Sequence, residues 1–456
     1  LSEFENREEN LKNAIECYLQ SIQVRSPKCF PLRCATTFRN IGVAYSQMAE
    51  LENRIENTKK AIYYFEEAVS VLKYEDSPVD YGFIQKGLST AYSTLAKLGE
   101  NPKENYKNSI KAGKEALRVY DFDRFPKDFA SINKNIGFAY TRLLEMGECG
   151  LEDCLEAINS HNGALRFYTA EDCPLEYGAI QKDLADTYRA LAGFDDRIEY
   201  LNEAVRAYKE ALRVYTLTEH PDDYAAINKS LGSVYEVIAQ FEGDIGKGYG
   251  LAVQAYMEAL KVYTFERSPK EYGVLHKNLG IIYEALAELE EPHLNYTKAI
   301  TAYNEALRVC SAKNSPLDYA VIKNNIGAIY TVLLNTGAEE ERVENCKKAI
   351  EAYEDTLSVY TMKDFPNEYA FVQGNLGSLY GFLASLERDP SIYKRAIGAY
   401  KEALNVYTFE HSPIDYSTYN RKLGDAYKEL GELEKEITHF ATALQYYREA
   451  LRFFVP

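Results

Sequence analysis

Residues 268–283 read SPKEYGVLHKNLGIIY, and near-copies of this stretch occur nine times along the chain. Successive copies begin 47 to 50 residues apart. We align them on the proline, number that proline position 0, and count the copies as repeats one to nine. A fixed period of this length is the signature of a repeat array, in which each unit packs mainly against its neighbours. The nine prolines are Pro31, Pro78, Pro126, Pro174, Pro221, Pro269, Pro316, Pro366 and Pro413.

Apolar residues recur at positions that share one face of a helix. Position 14 is tyrosine in all nine repeats and position 10 is Leu or Ile in all nine, while positions 3, 6 and 17 are aromatic or aliphatic in most of them. At about 100° per residue, these positions fall within an arc of about 80°. The pattern predicts a helix of about 20 residues that buries this face. We name it helix A.

Local signals predict how helix A begins and packs. Ser268, Pro269 and Glu271 match a capping box followed by an N-terminal proline, so we expect the acidic residue at position 2 to cap the helix. Position 11 is glycine in seven repeats, as in Gly280. Because glycine inside a helix costs about 1 kcal/mol relative to alanine, its recurrence predicts close approach of a neighbouring helix.

A second helix, helix B, is predicted from stretches such as KAITAYNEALRVC, residues 298–310, whose apolar residues have helical spacing. We expect one solenoid over residues 1–456, with a half repeat of helix B alone in residues 1–28 and nine A/B units in residues 31–456. Because the array opens on half a unit, we expect the chain to be a segment of a longer protein.

Two motifs resemble the tetratricopeptide repeat. Leu279, Gly280 and Tyr283 resemble the family's helix A signature, and Ala299, Tyr303 and Ala306 its helix B signature. The long unit of about 48 residues is most similar to the repeats of kinesin light chain and of prokaryotic arrays. The resemblance implies an all-α solenoid, a right-handed superhelix of antiparallel helix pairs. HEAT-like repeats have a similar period, but they do not account for the Gly and Tyr pattern.

The same resemblance implies a concave groove lined by the exposed face of helix A, where basic and Asn residues hold an extended peptide or an acidic tail. Position 8 is Lys or Arg in seven repeats, and position 9 is Asn in five. A Lys supplies a long-reach charge, and an Asn amide matches one peptide unit. The predicted groove residues are Arg39, Asn40, Lys86, Lys134, Asn135, Lys182, Lys229, Lys277, Asn278, Asn324, Asn325, Asn375 and Arg421.

The function predicted from this groove is that of a non-catalytic protein- or peptide-binding scaffold. One alternative is the sensor or regulatory arm of a multidomain enzyme, either a caspase-like peptidase or a signalling ATPase; another is a structural spacer. The Lys and Asn rows also have a structural interpretation, in which they bond neighbouring helices. The row is interrupted in the middle, where Asp183 and Ser230 replace Asn.

Composition restricts the other functions. A net charge of −17 repels nucleic-acid phosphates and anionic lipid, so neither is expected as a partner. No apolar run is long enough for a membrane span. We expect no enzyme activity, cofactor or metal, because Gly-rich phosphate loops, GxSxG and HExxH are all absent. The eight scattered cysteines predict free thiols and a cytoplasmic protein.

Overall fold

The structure is a computed structural model that describes residues 7–24, 30–194, 198–241, 245–334 and 339–452. These residues form nineteen α-helices and no strand. The fold is therefore all-α, as predicted. The helices are α1 (Arg7–Val24), α2 (Pro31–Met48), α3 (Arg54–Val71), α4 (Pro78–Lys97), α5 (Pro102–Ala116), α6 (Pro126–Glu145), α7 (Leu151–Leu165), α8 (Pro174–Ala192), α9 (Ile198–Leu212), α10 (Pro221–Phe241), α11 (Ile245–Leu260), α12 (Pro269–Ala287), α13 (Pro292–Leu307), α14 (Pro316–Leu333), α15 (Glu339–Thr356), α16 (Pro366–Glu387), α17 (Pro390–Leu404), α18 (Pro413–Glu434) and α19 (Ile437–Leu451).

Even-numbered helices are the predicted A helices, and each begins at one of the nine aligned prolines. Odd-numbered helices are the B helices. Each A helix of α2 to α8 and of α12 to α18 packs against the B helix that follows it. Contacts between α4 and α5 show that the pair is antiparallel: Tyr81 bonds Glu115, while Ser89, further along α4, bonds Ser109, which lies earlier in α5.

The core is built from the face that the sequence predicts. Leu275 at position 6 and Leu279 at position 10 are buried, as are Ile282 and Leu286 in the same helix. Tyr283 at position 14 is half-buried. Burial of such side chains supplies the main force that holds each helix pair together.

The predicted capping box is wrong in the helices that begin with Ser-Pro. Ser77 and Ser268 precede α4 and α12, but neither side chain accepts a hydrogen bond from the helix backbone. The Ser77 hydroxyl instead donates to the Asp80 carboxylate over 2.9 Å. The first-turn proline is confirmed, whereas the acidic residue bonds side chains rather than the N-terminal amide groups.

Two compact units divide the chain, one ending at Gly248 and the other beginning at Tyr249, so the boundary lies within α11. In the N-terminal unit, successive A helices contact each other: α2 with α4, α4 with α6, and α6 with α8. The four A helices α2, α4, α6 and α8 thus form one continuous layer. The division of the whole chain into a half repeat and nine units of a single solenoid stays a prediction.

No helix in the described parts of the chain combines the length and the hydropathy that a membrane crossing requires.

Candidate functional site

Three of the predicted basic groove residues form ion pairs between successive A helices. Lys277 Nζ lies 2.6 Å from the carboxylate of Asp318, which is at position 2 of the next A helix. Arg39 pairs with Asp80 in the same way, and Lys86 pairs with Asp128. We call this contact, position 8 of one A helix with position 2 of the next, the brace. It gives the acidic residue at position 2 a partner in these three repeats.

The Asn row in the C-terminal unit also bonds a neighbouring helix. The side-chain amide of Asn325 donates to the Tyr303 hydroxyl over 2.9 Å, which joins an A helix to the B helix before it. Two further bonds have the same geometry at 3.3 Å, and they join Asn278 to Tyr256 and Asn375 to Tyr353. These Asn side chains therefore have a structural partner in the protein itself.

In the N-terminal unit the two predicted Asn residues have different partners. Asn135 donates to Thr90 on the preceding A helix over 3.1 Å. The preceding B helix carries Gly113 at the place equivalent to Tyr303, so it offers no hydroxyl there. Asn40 accepts from the guanidinium of Arg39 at 3.3 Å.

The remaining predicted residues are less regular. Asn324 Oδ1 is buried and has no hydrogen-bond partner within the described residues, and its neighbour Lys323 pairs with Asp355 at 2.8 Å. Arg421 pairs with Asp425 on its own helix at 3.1 Å.

The brace is open at two consecutive junctions, and a cleft of about 450 Å³ lies there. Lys134 faces Glu176 in the sequence alignment, and Lys182 faces Asp223, but no ion pair joins either couple in the described structure. All four residues line the cleft, which is bounded by A helices of the N-terminal unit. The lining comprises Lys97, Lys134, Asn135, Phe138, Arg142, Leu175, Glu176, Ala179, Ile180, Lys182, Asp183, Tyr215 and Asp223.

Positive charges gather at one end of the cleft. Lys97 Nζ lies 4.0 Å from the centroid of the Phe138 ring, and the guanidinium of Arg142 lies 5.1 Å from the same ring. Lys134 Nζ lies 4.9 Å from the Tyr168 ring. Desolvation by the cleft walls lowers the pKa of Lys97; the charge of Asp183 opposes this change, and the charges of Lys134 and Arg142 add to it. The cations here are close enough to repel one another.

Asp183 lies beneath these cations and interrupts the predicted Asn row. Its side chain is 14% exposed, and Arg142 donates to it over 2.9 Å. Burial raises the pKa of Asp183 to about 6, although the charges of Arg142 and Lys182 oppose that rise. Arg142 Nε is itself buried without a hydrogen-bond partner in the described structure. This pair uses one cation of the cleft and leaves Lys97 and Lys134 without a carboxylate.

Negative charges gather near Tyr215. The buried Tyr215 hydroxyl donates to the backbone oxygen of Leu175 over 3.3 Å. Burial raises the pKa of Tyr215 to about 12, and the charges of Asp223, Asp183 and Glu176 add to that rise. The cleft is therefore polar along its length, with Lys97 and Lys134 on α4 and α6, and with Glu176, Asp183, Asp223 and the ion-paired Lys182 on α8 and α10.

A buried polar cluster supports the cleft from below. His161 on α7 is fully enclosed and bonds the Thr141 hydroxyl over 3.0 Å, and Thr141 lies 3.0 Å from the Thr187 hydroxyl. Thr187 donates to the backbone oxygen of Asp183 over 2.8 Å. Burial lowers the pKa of His161 to about 3, so its imidazole is neutral near pH 7. The cluster joins α6, α7 and α8 at the level of the cleft.

Sequence reasoning identified Lys134, Asn135 and Lys182 of this lining and missed the rest. The sequence feature that could have indicated the cleft was Asp183, which replaces Asn at position 9 of the repeat. Lys97 and Arg142 lie near the ends of their helices, at positions where the repeat has no common residue type, so the repeat pattern did not single them out.

One group in the described residues has the geometry for a metal ion. Glu434, Glu436 and His439 offer ligand atoms within 4.8 Å of one another. His439 Nε2 already lies 2.9 Å from Glu434, and Lys394 Nζ lies 2.8 Å from the same carboxylate. Both carboxylates are open to solvent, so we propose no metal site here. The expectation of no metal and no cofactor stays a prediction.

In comparisons with known proteins, only solved structures match the chain. No family model and no curated protein matches the chain. The C-terminal part of a TPR repeat-containing protein from Cytophaga hutchinsonii is 16% identical, with a TM-score of 0.42 over 69% of this chain and 94% of that one. The apo quorum sensor NprR from B. thuringiensis is 15% identical, with a TM-score of 0.40 over 84% and 100%. Apo RapI is 13% identical, with a TM-score of 0.41 over 92% and 98%.

The chain resembles tetratricopeptide repeat proteins in fold as well as in sequence. The paired helices and the recurring contact between a glycine and a ring carry this resemblance. Gly280 of helix A faces Tyr303 of helix B, which are the two signature positions of the motif.

Proposed function

We propose that the chain is a non-catalytic scaffold that binds a protein or peptide segment in the cleft between α4, α6, α8 and α10. Lys134 of the predicted groove residues is assigned to the partner, together with Lys97, because neither lysine has a carboxylate partner in the described structure. Asn135 and Lys182 also line the cleft, although Asn135 bonds Thr90 and Lys182 pairs with Asp186. The predicted residues assigned to contacts between helices are Arg39, Lys86, Lys277, Asn278, Asn325 and Asn375.

One observation carries the proposal. Lys97 and Lys134 line a concave site without a carboxylate partner in the described structure, whereas Lys86 and Lys277, in the same row as Lys134, are neutralised by the next helix. Asn135 adds an amide beside them. In a chain of net charge −17, unneutralised lysines in a cleft are a local reversal of sign that favours an acidic group of a partner.

The absence of catalysis is supported by the state of the candidate nucleophiles and bases. Burial raises the pKa of Cys149 to about 12 and that of Cys154 to about 11, so both thiols stay protonated and unreactive near pH 7. His161 is neutral and enclosed. The cytoplasmic location and the absence of a nucleic-acid partner stay predictions, the first from the free thiols and the second from net charge.

The proposal is tested by peptide display. A random peptide library is selected on the whole chain, and the enriched peptides are measured by fluorescence anisotropy on the wild type and on the Lys97→Glu, Lys134→Glu double variant. We expect at least about a tenfold loss of affinity, since each tenfold step corresponds to about 1.4 kcal/mol. Lys73→Glu with Lys111→Glu is the matched control, because both lysines are exposed outside the cleft. Equal binding to all three proteins would exclude the cleft as the site.

A further inference from the structure

The two junctions at the cleft differ from the three junctions at which the brace forms. At three junctions the base at position 8 and the acid at position 2 of the next A helix form an ion pair. At the junctions after α6 and after α8 both residue types are present, yet neither pair forms. Lys134, Glu176 and Asp223 therefore have no ion-pair partner in the described structure, whereas Lys182 has one on its own helix.

Both lysines make other contacts. Lys134 lies over the Tyr168 ring and forms no ion pair with Glu176 in the described structure. Lys182 instead reaches back to Asp186 on its own helix, at 3.3 Å. Asp186 is buried and also accepts from the Tyr208 hydroxyl at 2.5 Å, so it is a fixed part of the core and holds Lys182 in place. Glu176 and Asp223 are left with no ion-pair partner in the described structure.

Apart from Lys182, which Asp186 holds, the charges of the cleft without an ion-pair partner are grouped by sign. Lys97 and Lys134 lie at the end near Phe138 and Arg142, whereas Glu176 and Asp223 lie at the end near Tyr215. Asp183 lies between these groups and is occupied by Arg142. A ligand that spans the cleft therefore meets a cationic end and an anionic end.

We propose that the cleft selects a dipolar peptide segment, with an acidic group at Lys97 and Lys134 and a basic group at Glu176 and Asp223. This inference rests on the proposed function and specifies its ligand. A purely acidic segment that enters the cleft places negative charge against Glu176 and Asp223, and a purely basic one places positive charge against the lysines. Like charges in a partly desolvated site repel strongly, which gives selectivity as well as affinity. The volume of about 450 Å³ is within the range of sites that hold a small ligand or a few residues of a chain.

The test uses the same random display library on the whole chain, with three single variants in place of the double one. Lys134→Glu removes charge from the cationic end, Glu176→Lys reverses the anionic end, and Lys111→Glu is the control outside the cleft. We expect enriched peptides to contain both an acidic and a basic residue. Each cleft substitution should weaken their binding by at least about tenfold, and the control should leave it unchanged.

Neutralised versions of the peptide then show which of its groups binds at which end of the cleft. The best peptide is synthesised with its acid changed to the amide, and separately with its base changed to Gln. The Lys134→Glu loss should disappear for the first peptide and the Glu176→Lys loss for the second. Circular dichroism melting of each variant checks that the helices are intact.

Other results would overturn either the dipolar inference alone or that inference together with the assignment of the cleft. Enriched peptides that are acidic throughout and insensitive to Glu176→Lys would overturn the dipolar inference and leave the scaffold standing. Enriched peptides that bind both cleft variants as well as the wild type would overturn the inference and the assignment of the cleft together. The same holds if selection enriches no peptide at all.

Discussion

Gly280 in α12 lies directly against the ring of Tyr303 in α13. A Cβ atom on Gly280 would be 2.3 Å from Tyr303 Cε1, closer than any real contact between carbon atoms. The same relationship joins Gly42 to Phe65, and it recurs with Tyr400 and Tyr447 further along the chain. The ring of helix B thus occupies the space that a side chain at the glycine position would need.

Repeat two shows that the two positions depend on each other. There Ser89 replaces the glycine, and Gly113 replaces the ring. Ser109 uses the freed space to donate to the backbone oxygen of Ser89 over 2.8 Å. Both positions are therefore small in this repeat, and Ile136 of the next A helix packs against Gly113.

We therefore expect Gly280→Ala to destabilise the protein, although alanine is the better helix former. Overpacking costs about 1–3 kcal/mol, which exceeds the gain in helix propensity of about 1 kcal/mol. The Tyr303 hydroxyl is held by Glu284 and Asn325, so the ring has little freedom to move aside. Urea denaturation followed by circular dichroism measures the change.

The matched controls are two helical glycines with free space around them. A Cβ atom on Gly381 in α16 or on Gly398 in α17 would have no atom of a neighbouring residue within 4 Å. Gly381→Ala and Gly398→Ala should each stabilise the protein by about 0.5–1 kcal/mol. If Gly280→Ala stabilised it equally, the ring contact would not be what requires the glycine.

The repeat pattern was sufficient to predict the helices and their buried face. The period-3.6 spacing of positions such as those of Leu275, Leu279 and Leu286 depends only on one helix, so it can be read from one stretch of sequence. The close approach at Gly280 can also be predicted from the sequence, because seven repeats keep a glycine that lowers helix propensity. Its cause, the Tyr303 side chain, comes from another helix and needed the structure.

The site could be predicted only in part, since a Lys on an exposed helix face has the same appearance whether or not it has a partner. Lys277 and Lys134 occupy the same position of the repeat, yet only Lys277 reaches a carboxylate of the next helix. Lys134 lies instead over the Tyr168 ring, although Lys86 pairs with Asp128 in a repeat that carries a tyrosine at the equivalent place, Tyr120. Whether a lysine reaches the next helix therefore depends on three-dimensional packing that the residue types of the repeat do not specify.

Replacing the lysine at position 8 should destabilise the protein where the brace is formed and have little effect where the brace is open. Lys277→Ala removes a partly exposed ion pair and should lower the free energy of unfolding by up to about 1 kcal/mol. Lys134→Ala removes no ion pair and should leave stability within about 0.5 kcal/mol of the wild type. Urea midpoints of both variants, with Lys277→Asp plus Asp318→Lys as a charge-swap rescue, measure the contrast. Equal losses for Lys134→Ala and Lys277→Ala would contradict it.

His161 predicts a loss of stability in acid. Because burial lowers its folded pKa to about 3, the folded state binds fewer protons than the unfolded state between about pH 3 and its ordinary pKa of 6.5. Stability then falls as the pH drops below that value, by about 1.4 kcal/mol for each pH unit. His161→Phe removes this dependence, so relative to the wild type the variant should gain on the order of 2 kcal/mol between pH 7 and pH 5. A difference that does not change with pH would show that His161 titrates normally.

Glu284 predicts the opposite slope in the C-terminal unit. It is half-buried and accepts a hydrogen bond from Tyr303, and no ion pair joins it to a cation in the described structure. Burial raises its pKa to about 7, and the nearby charge of Glu288 adds to that rise. The folded state therefore holds a proton that the unfolded state has lost between about pH 4.5 and pH 7, so this group's contribution to stability falls as the pH rises through that range.

Glu284→Gln keeps an oxygen that can accept from Tyr303 and removes the charge. The variant should match the wild type at pH 5, where Glu284 is protonated, and exceed its free energy of unfolding by on the order of 1 kcal/mol at pH 8. Urea denaturation at both pH values measures the gain, and Glu288→Gln, which changes an adjacent carboxyl, serves as the comparison. A gain that is the same at pH 5 and pH 8 would mean that the charge of Glu284 is not what destabilises the fold, and that its carboxylate is solvated or paired in solution.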